Sequence, residues 1–327
     1  PGPVEVLDLP APDVTRHVPP AAAGEGTGPR PFTAAAPRPW GVTSFTGLVR
    51  NAVVEEPDRD AEAHPSPPDP EADPAGPDPL AGFRGAEAGI CLHALFEEAE
   101  FGASADARRP LVERVLREHG FDPVRLAGPV SELVQRILAT PLPGLGRLAD
   151  LPASDRRAEL EFLLPLRHLT PASLHGAFAA HLGDTPRGGG GPSATRWLAG
   201  LEFRPVEGFL RGFIDLVFRR DGRFHLLDWK SNVLGRTPAD YPAAVVAQAM
   251  AAERYHLQYH LYAVALDAHL RARLPDYDYD RHFGGVVYLF VRGLDPARPG
   301  QGVFAHRPDR SLMEGLRRAL VAGRGAP

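Results

Sequence analysis

The chain has 327 residues with a formal net charge of −5, and 43% of its residues are hydrophobic. No run of about 18 apolar residues occurs, which excludes a membrane-spanning helix. The single cysteine, Cys91, excludes an internal disulfide and is typical of a reducing, cytoplasmic compartment. The chain begins at Pro1 without a methionine or an apolar leader, so we expect a piece of a longer protein that is not secreted.

Proline and charge are distributed unevenly along the chain. Residues 1–80 contain 18 of the 36 prolines, and 13 acidic residues against 5 arginines. Subtracting these from the 41 acidic and 36 basic residues of the whole chain leaves 28 and 31, so residues 81–327 carry +3. We therefore expect residues 1–80 to be a Pro-rich acidic arm, largely disordered and most clearly so at 55–79, and residues 81–327 to be the folded domain. A glycine run at 188–191 predicts a second flexible joint.

Hydrophobic periodicity predicts the regular elements of the folded domain. In chain order they are helices 86–100, 111–119 and 131–139 with Ser131 as its N-cap, strands 160–166, 209–218 and 223–230, helix 247–273, strand 285–291 and helix 311–322. This order predicts an α/β fold with a mixed β-sheet flanked by helices.

The two strands on either side of Asp221-Gly222 carry the most informative pattern. A two-residue loop of this composition is a strong hairpin signal, because both positions require a positive φ. Arg220 then lies opposite Arg223, and the same register brings Asp215 opposite Asp228. Two facing carboxylates destabilise a sheet unless a cation or a proton lies between them.

A lysine lies at the end of the second strand. Of the 36 basic residues, 35 are arginine, and Lys230 is the one lysine. Strand alternation puts it on the same face as Asp228. Paired carboxylates suit Mg²⁺, and an adjacent ammonium can activate water or stabilise charge on a phosphate. The alternative, a surface hairpin whose charges face water, is disfavoured because the flanking residues are apolar.

These residues resemble a known family. Residues 212–215 (Gly-Phe-Ile-Asp) followed by 228–230 (Asp-Trp-Lys) resemble the core motif of the PD-(D/E)XK nucleases. Over a wider stretch, from about Trp40 to the end, the chain resembles the C-terminal nuclease domain of the RecB family, the exodeoxyribonuclease V type of helicase–nuclease. The resemblance implies a restriction-endonuclease-like core with helical insertions.

The resemblance also implies roles for individual residues. It makes His93 a metal ligand beside Asp215 and Asp228, although a histidine on an apolar helix is otherwise more often a core residue. The carbonyl of Trp229 would assist, and Gln258 with Tyr262, four residues apart on one helix face, would orient DNA or the lysine. The roles of Glu97 and Glu161 stay open between a site residue and an ordinary exposed glutamate.

The function that the resemblance implies is Mg²⁺-dependent hydrolysis of DNA during double-strand break processing and recombination. Expected partners are DNA, RecC- and RecD-like subunits of a helicase–nuclease complex, and a RecA-type recombinase, with no membrane. The alternative is a catalytically silent nuclease fold that docks helicase subunits or a recombinase. The acid–acid–lysine set argues against the alternative, because a silent domain has no need to hold two carboxylates face to face.

Overall fold

A computed structural model of the protein describes residues 40–50, 79–80, 82–182 and 196–322. Nearly all of the predicted disordered stretch 55–79 and the predicted joint at 188–191 lie outside these residues. The described residues form a mixed β-sheet with helices packed against it, which confirms the predicted fold class.

The sheet has six strands within the described residues, in the order β1-β3-β4-β5-β6, with β2 paired to β3. The strands are β1 (Gly41–Thr43), β2 (Arg156–Leu169), β3 (Val206–Arg220), β4 (Arg223–Lys230), β5 (Phe283–Phe290) and β6 (Val303–His306). The β1–β3 and β4–β5 pairs are parallel, and the other pairs are antiparallel.

Strand β3 organises the sheet because three strands pair with it. β2 pairs with it from Val206 to Phe218, β1 pairs with residues 208–210, and β4 pairs with residues 216–220. Since β2 occupies one edge along nearly the whole strand, β1 and β4 must share the other edge. Residues 211–215 of β3 therefore lie between β1 and β4, without a ladder partner on that edge.

The helices pack on both faces of the sheet. They are α1 (Phe45–Arg50), α2 (Ala86–Glu98), α3 (Ala105–Glu118), α4 (Pro123–Ala139), α5 (Pro171–Leu182), α6 (Ala243–Ala252), α7 (Tyr255–Arg273), α8 (Tyr279–His282) and α9 (Arg310–Arg317). Leu226 belongs to a core with α5, α6, α7 and α9, whereas its neighbour Leu227 belongs to a second core with α2, α3 and α4. In the described part of the chain, no helix is long and apolar enough to cross a membrane.

The predicted hairpin is confirmed in both its loop and its register. Asp221 and Gly222 have φ values of 51° and 77°, as a two-residue loop of this kind requires. The strands pair from Arg220 opposite Arg223 to Leu216 opposite Leu227.

Several helix boundaries differ from the prediction. The predicted helix 247–273 is two helices, α6 and α7, because Arg254 between them has a left-handed φ of 56°. The helix predicted from Ser131 is the second half of α4, which begins after Asp122, whose side chain accepts a hydrogen bond from the Val124 N–H. Pro129 lies inside α4, and because proline usually interrupts a helix, the sequence does not predict one continuous helix here. Helix α5 and strand β6 were missed entirely.

A short part of the predicted arm joins the folded domain. β1 lies within residues 1–80, yet it pairs with residues 208–210 of β3. The strands approach so closely that a Cβ at Gly208, which has a φ of 135°, would collide with the backbone of Gly41. The sheet therefore recruits residues from before position 81.

Three histidines lie close together where α7 meets β6, and His260 is the fully buried member. His256 and His260 come from α7, and His306 comes from β6; the rings of His260 and His306 are 6.1 Å apart. Trp197 stacks on His260 from the other side at 6.0 Å. Burial lowers the pKa of His260 to about 3 and that of His256 to about 4, so both imidazoles are neutral near pH 7.

We expect this cluster to make the fold sensitive to acid. Because the folded pKa values lie below the unfolded value of about 6.5, the unfolded chain binds more protons as the pH falls from 6.5 toward 4. The free energy of unfolding should be highest above pH 6.5 and decrease below it, by up to about 1.4 kcal/mol per pH unit for each buried histidine. Urea unfolding at a series of pH values measures this slope. His260→Gln should reduce the pH dependence of the free energy of unfolding, whereas His175→Gln, on the exposed side of α5, should leave it unchanged. Equal slopes in the parent and both variants would show that His260 is not the source of the acid sensitivity.

Candidate functional site

The candidate site begins where the β3–β4 ladder ends. The last paired residues are Leu216 and Leu227, one step before Asp215 and Asp228. At the next step the Asp215 carboxylate accepts a hydrogen bond from the backbone N–H of Trp229, with Oδ2 2.7 Å from the nitrogen. A side chain thus replaces a strand as the partner of this backbone amide.

Helix α2 brings His93 to the same place. Its Nε2 lies 3.1 Å from the carbonyl oxygen of Trp229, and its Nδ1 lies 3.6 Å from Oδ1 of Asp215. Because a carbonyl only accepts, Nε2 must be the protonated nitrogen in this hydrogen bond. A neutral imidazole then presents its Nδ1 lone pair toward a carboxylate, and two facing acceptors favour a cation between them.

Glu159 completes this group, and the sequence prediction missed it. One ligand atom from each of His93, Glu159 and Asp215 lies within 4.8 Å of the other two. Two carboxylates and an imidazole, with a backbone carbonyl beside them, suit a divalent cation. These residues therefore fit the metal ion that the resemblance implies.

The backbone of β2 explains why Glu159 points here. Ala158 pairs with Leu216 and Leu160 pairs with Ile214, so Glu159 lies opposite Asp215 at a break in the ladder. Glu159 has a φ of 47°, which is unfavourable for a residue with a Cβ. The break also changes which face the side chains occupy, since Ile214 and Leu216, two residues apart, belong to different cores. The predicted strand began at residue 160 and so excluded Glu159.

Lys230 and Asp228 form a buried ion pair. Nζ of Lys230 is 2.7 Å from Oδ1 of Asp228, and their side chains are 0% and 1% exposed. The ammonium also lies 4.1 Å from the ring centre of Tyr255 and 5.4 Å from that of Tyr288. The carboxylate and the two ring faces stabilise a charge that burial would otherwise oppose. Asp228 is thus a partner of Lys230 in this structure and is not part of the group formed by His93, Glu159 and Asp215.

The two polar residues predicted on α7 have different environments. Gln258 is buried, and its Oε1 accepts a hydrogen bond of 3.0 Å from the hydroxyl of Tyr288. Because Tyr288 also contacts Lys230, Gln258 supports the surroundings of the lysine. Tyr262 packs edge-to-face against Phe162, with ring centres 5.0 Å apart, and its hydroxyl faces Gly212 of β3.

Three further candidates are not members of the group of His93, Glu159 and Asp215, which we call the metal-ligand group. They are Glu97 and Glu161, whose roles the sequence left open, and Cys91. Glu161 forms an ion pair of 2.7 Å with Arg211 on the exposed surface, and Glu97 is exposed on α2. Cys91 is buried, and burial raises the pKa of its thiol to about 12, as expected for a small core residue rather than a nucleophile.

An arginine-lined cavity follows the end of β4. It has a volume of about 210 Å³, and its lining includes Arg84, Arg136, Arg236 and Arg292, with Glu132 as an acidic member. Arg292 hydrogen-bonds to the carbonyl of Ser231, the residue after Lys230. Four arginines and one glutamate thus line a cavity next to Ser231, the residue that follows Lys230.

Comparisons with known proteins point to DNA-processing nucleases. Residues 76–323 match the model of the PD-(D/E)XK nuclease superfamily. The chain is 38% identical over 297 residues to the RecBCD enzyme subunit RecB of Escherichia coli K12, covering 84% of this chain and 22% of that protein. It is 34% identical over 344 residues to the same subunit from Mycolicibacterium smegmatis, covering 93% of this chain and 31% of that protein. The chain thus spans between a fifth and a third of the length of these relatives.

We expect Glu159→Gln to weaken divalent metal binding by about 10-fold or more, since it removes a charged oxygen from the donor group. Glu161→Gln is the matched control, two residues away on the same strand, and it should bind metal as the parent does. Isothermal titration with Mn²⁺ measures both affinities. Equal losses in the two variants would remove Glu159 from the site.

Proposed function

The chain belongs to the PD-(D/E)XK nuclease superfamily, and on that premise we propose that it is the Mg²⁺-dependent DNA nuclease domain of a RecB-like helicase–nuclease. The observation that carries the proposal is the group of His93, Glu159 and Asp215 beside a buried lysine–aspartate pair. This combination gives metal ligands and a shielded ammonium at the end of one hairpin. The reaction would be hydrolysis of a phosphodiester bond, in which a water oxygen bonds to phosphorus as the ester P–O bond breaks.

In the proposed mechanism, His93, Glu159 and Asp215 would hold the ion, and the Trp229 carbonyl would assist. Bound there, a divalent cation supplies positive charge that neutralises the phosphate and increases the acidity of water. The hydrogen bond from Trp229 fixes the Asp215 carboxylate, so little reorganisation is needed when substrate arrives. Direct ligation by Asp228, which the sequence predicts, stays a prediction, as do the catalytic roles of Gln258 and Tyr262.

Lys230 has a separate proposed role. Its ammonium would hold the attacking water and stabilise the negative charge that develops on the phosphate oxygens. Asp228 holds the ammonium in place inside the protein, with its Oδ1 2.7 Å from Nζ. The faces of Tyr255 and Tyr288 limit its motion and exclude bulk water.

The partners are also proposals, because the chain covers only 22% of the E. coli relative. That relative is by its name a subunit of the RecBCD enzyme. We infer that this chain acts on DNA alongside RecC- and RecD-like subunits in the cytoplasm, during double-strand break processing, with a RecA-type recombinase as a further partner. A silent docking fold is the weaker alternative, since burying a charged pair costs desolvation energy that docking does not require.

We predict that Asp215→Asn abolishes cleavage of linear DNA while the fold persists. The asparagine oxygen can still accept from the Trp229 N–H, but the charge that holds the ion is lost. Gel assays with Mg²⁺, with and without a chelator, measure the activity, and circular dichroism checks the fold. Cleavage that survives chelation, or that Asp215→Asn leaves at the parental rate, would contradict the proposed function.

We predict that Lys230→Arg reduces the cleavage rate about 100-fold or more. A guanidinium is broad and planar and does not fit a fully buried position beside Tyr255 that holds a compact ammonium. Metal affinity should stay near the parental value, because Lys230 lies outside the metal-ligand group. The measurement is single-turnover cleavage together with metal titration, and Lys230→Met serves as the variant without charge. A rate within a few-fold of the parent in Lys230→Arg would show that the ammonium is only a structural counter-ion.

A further inference from the structure

Helix α2 presents one face to the end of strand β4. On that face are Gly89, His93 and Phe96, which are spaced by four and three positions and so lie along the same side of the helix. Phe96 stacks on the indole of Trp229, with ring centres 4.0 Å apart at 17°. His93 contacts the backbone carbonyl of the same residue. The position of the imidazole therefore depends on how closely α2 approaches β4.

Gly89, one turn before His93, lies against Ser231, the residue that follows Lys230. A Cβ at position 89 would be 2.8 Å from Oγ of Ser231 and 3.7 Å from its Cβ. The second distance is an ordinary van der Waals contact, whereas the first is shorter than side chains in proteins adopt. The hydroxyl of Ser231 thus occupies the space that a side chain at position 89 would need. Glycine permits the approach that α2 makes here.

The strand side of this contact is held in place. Ser231 is buried, and its carbonyl accepts a hydrogen bond of 3.3 Å from Nε of Arg292. The two residues before it, 229 and 230, pair with residues 289 and 290 of β5. Because β4 is fixed by these hydrogen bonds, a side chain added at position 89 would displace the helix and not the strand.

The displacement would be large enough to affect a metal ion. Moving the added Cβ from 2.8 Å to 3.4 Å, where ordinary contact begins, requires a shift of about 0.6 Å. A helix that moved as a rigid body would carry His93 the whole distance, and one that pivoted at Phe96 would carry it about 0.3 Å. Metal sites tolerate about 0.2 Å in the distance between a ligand atom and the ion. Both movements exceed that tolerance.

We infer that Gly89 is the positioning residue for His93. Because it carries no side chain, α2 approaches Ser231 closely enough for the imidazole to reach the Trp229 carbonyl and the Asp215 carboxylate. This inference rests on the proposed nuclease function, to which the ion that His93 would hold belongs. Gly89 offers no side-chain ligand atom and acts through the placement of the helix. Glycine is less stable than alanine inside a helix, so the approach to β4, and not the helix itself, explains the glycine.

The test compares two glycine-to-alanine changes inside helices of the full chain. Gly89→Ala should weaken Mn²⁺ binding about 10-fold or more, because it displaces the imidazole from the metal-ligand group. Gly128→Ala in α4 is the matched control, since a Cβ at Gly128 would meet nothing within 4 Å. Alanine favours the helix in both variants, yet the control should bind Mn²⁺ as the parent does. Isothermal titration measures the affinities, and thermal unfolding checks that each variant is folded.

A second change tests the contact itself. Ser231→Ala removes the oxygen and leaves the Cβ at 3.7 Å, an ordinary distance for the new side chain at position 89. The double variant Gly89→Ala/Ser231→Ala should therefore bind Mn²⁺ within about two-fold of Ser231→Ala alone. Unchanged affinity in Gly89→Ala, as rotation of the Ser231 hydroxyl would produce, or a loss that the second change does not restore, would overturn the inference. If Gly89→Ala does not fold, a folded double variant with restored affinity supports the inference and an unfolded one overturns it.

Crystal structures of the metal-free variants separate the inference from the proposed function. In Gly89→Ala the distance from Nε2 of His93 to the Trp229 carbonyl should exceed the 3.1 Å of the parent, and the double variant should restore it. A parent that binds no Mn²⁺ would contradict the proposed function, and this distance would still decide the inference. A parent that binds Mn²⁺ and cleaves DNA, with the distance and the affinity unchanged in Gly89→Ala, would support the proposed function and overturn the inference.

Discussion

The hydrogen bond between the Trp229 N–H and the Asp215 carboxylate is the interaction on which the site depends. Strands β3 and β4 stop pairing at Leu216 and Leu227. The backbone N–H of Trp229, in the central strand β4, would then lack a hydrogen-bond partner inside the protein. The carboxylate supplies one, so the fold itself fixes its position. The same separation leaves the Trp229 carbonyl available to His93. Fold stability and site geometry therefore share one contact.

The buried lysine changes how the two aspartates are understood. From the register alone, Asp215 and Asp228 form a repelling pair, and the loss of Asp228 looks stabilising. In the structure Asp228 is the counter-ion of an ammonium that is 0% exposed. Losing one partner of such a pair leaves an uncompensated charge, which costs about 3–5 kcal/mol. The two aspartates thus serve different neighbours although they lie on adjacent strands.

Local rules predicted one part of the site and missed another. The Asp221-Gly222 loop fixed the strand register, because a two-residue loop permits one pairing, and Lys230 stood out in a chain that otherwise uses arginine. Glu159 escaped because its direction comes from a break in β2 that depends on the neighbouring strand, and alternation says nothing about such a break. The ring of Tyr255 that lies beside Lys230 comes from helix α7, and short-range sequence patterns cannot predict that α7 packs against the end of β4.

The left-handed backbone at Glu159 makes glycine the residue that would fold best at this position. A side chain in that conformation costs about 1 kcal/mol, and glycine would avoid the cost. The substitution that most easily improves folding would therefore delete a carboxylate from the donor group. At this residue the backbone conformation favours glycine while the donor group requires a carboxylate, so folding stability and site chemistry make opposite demands on one position.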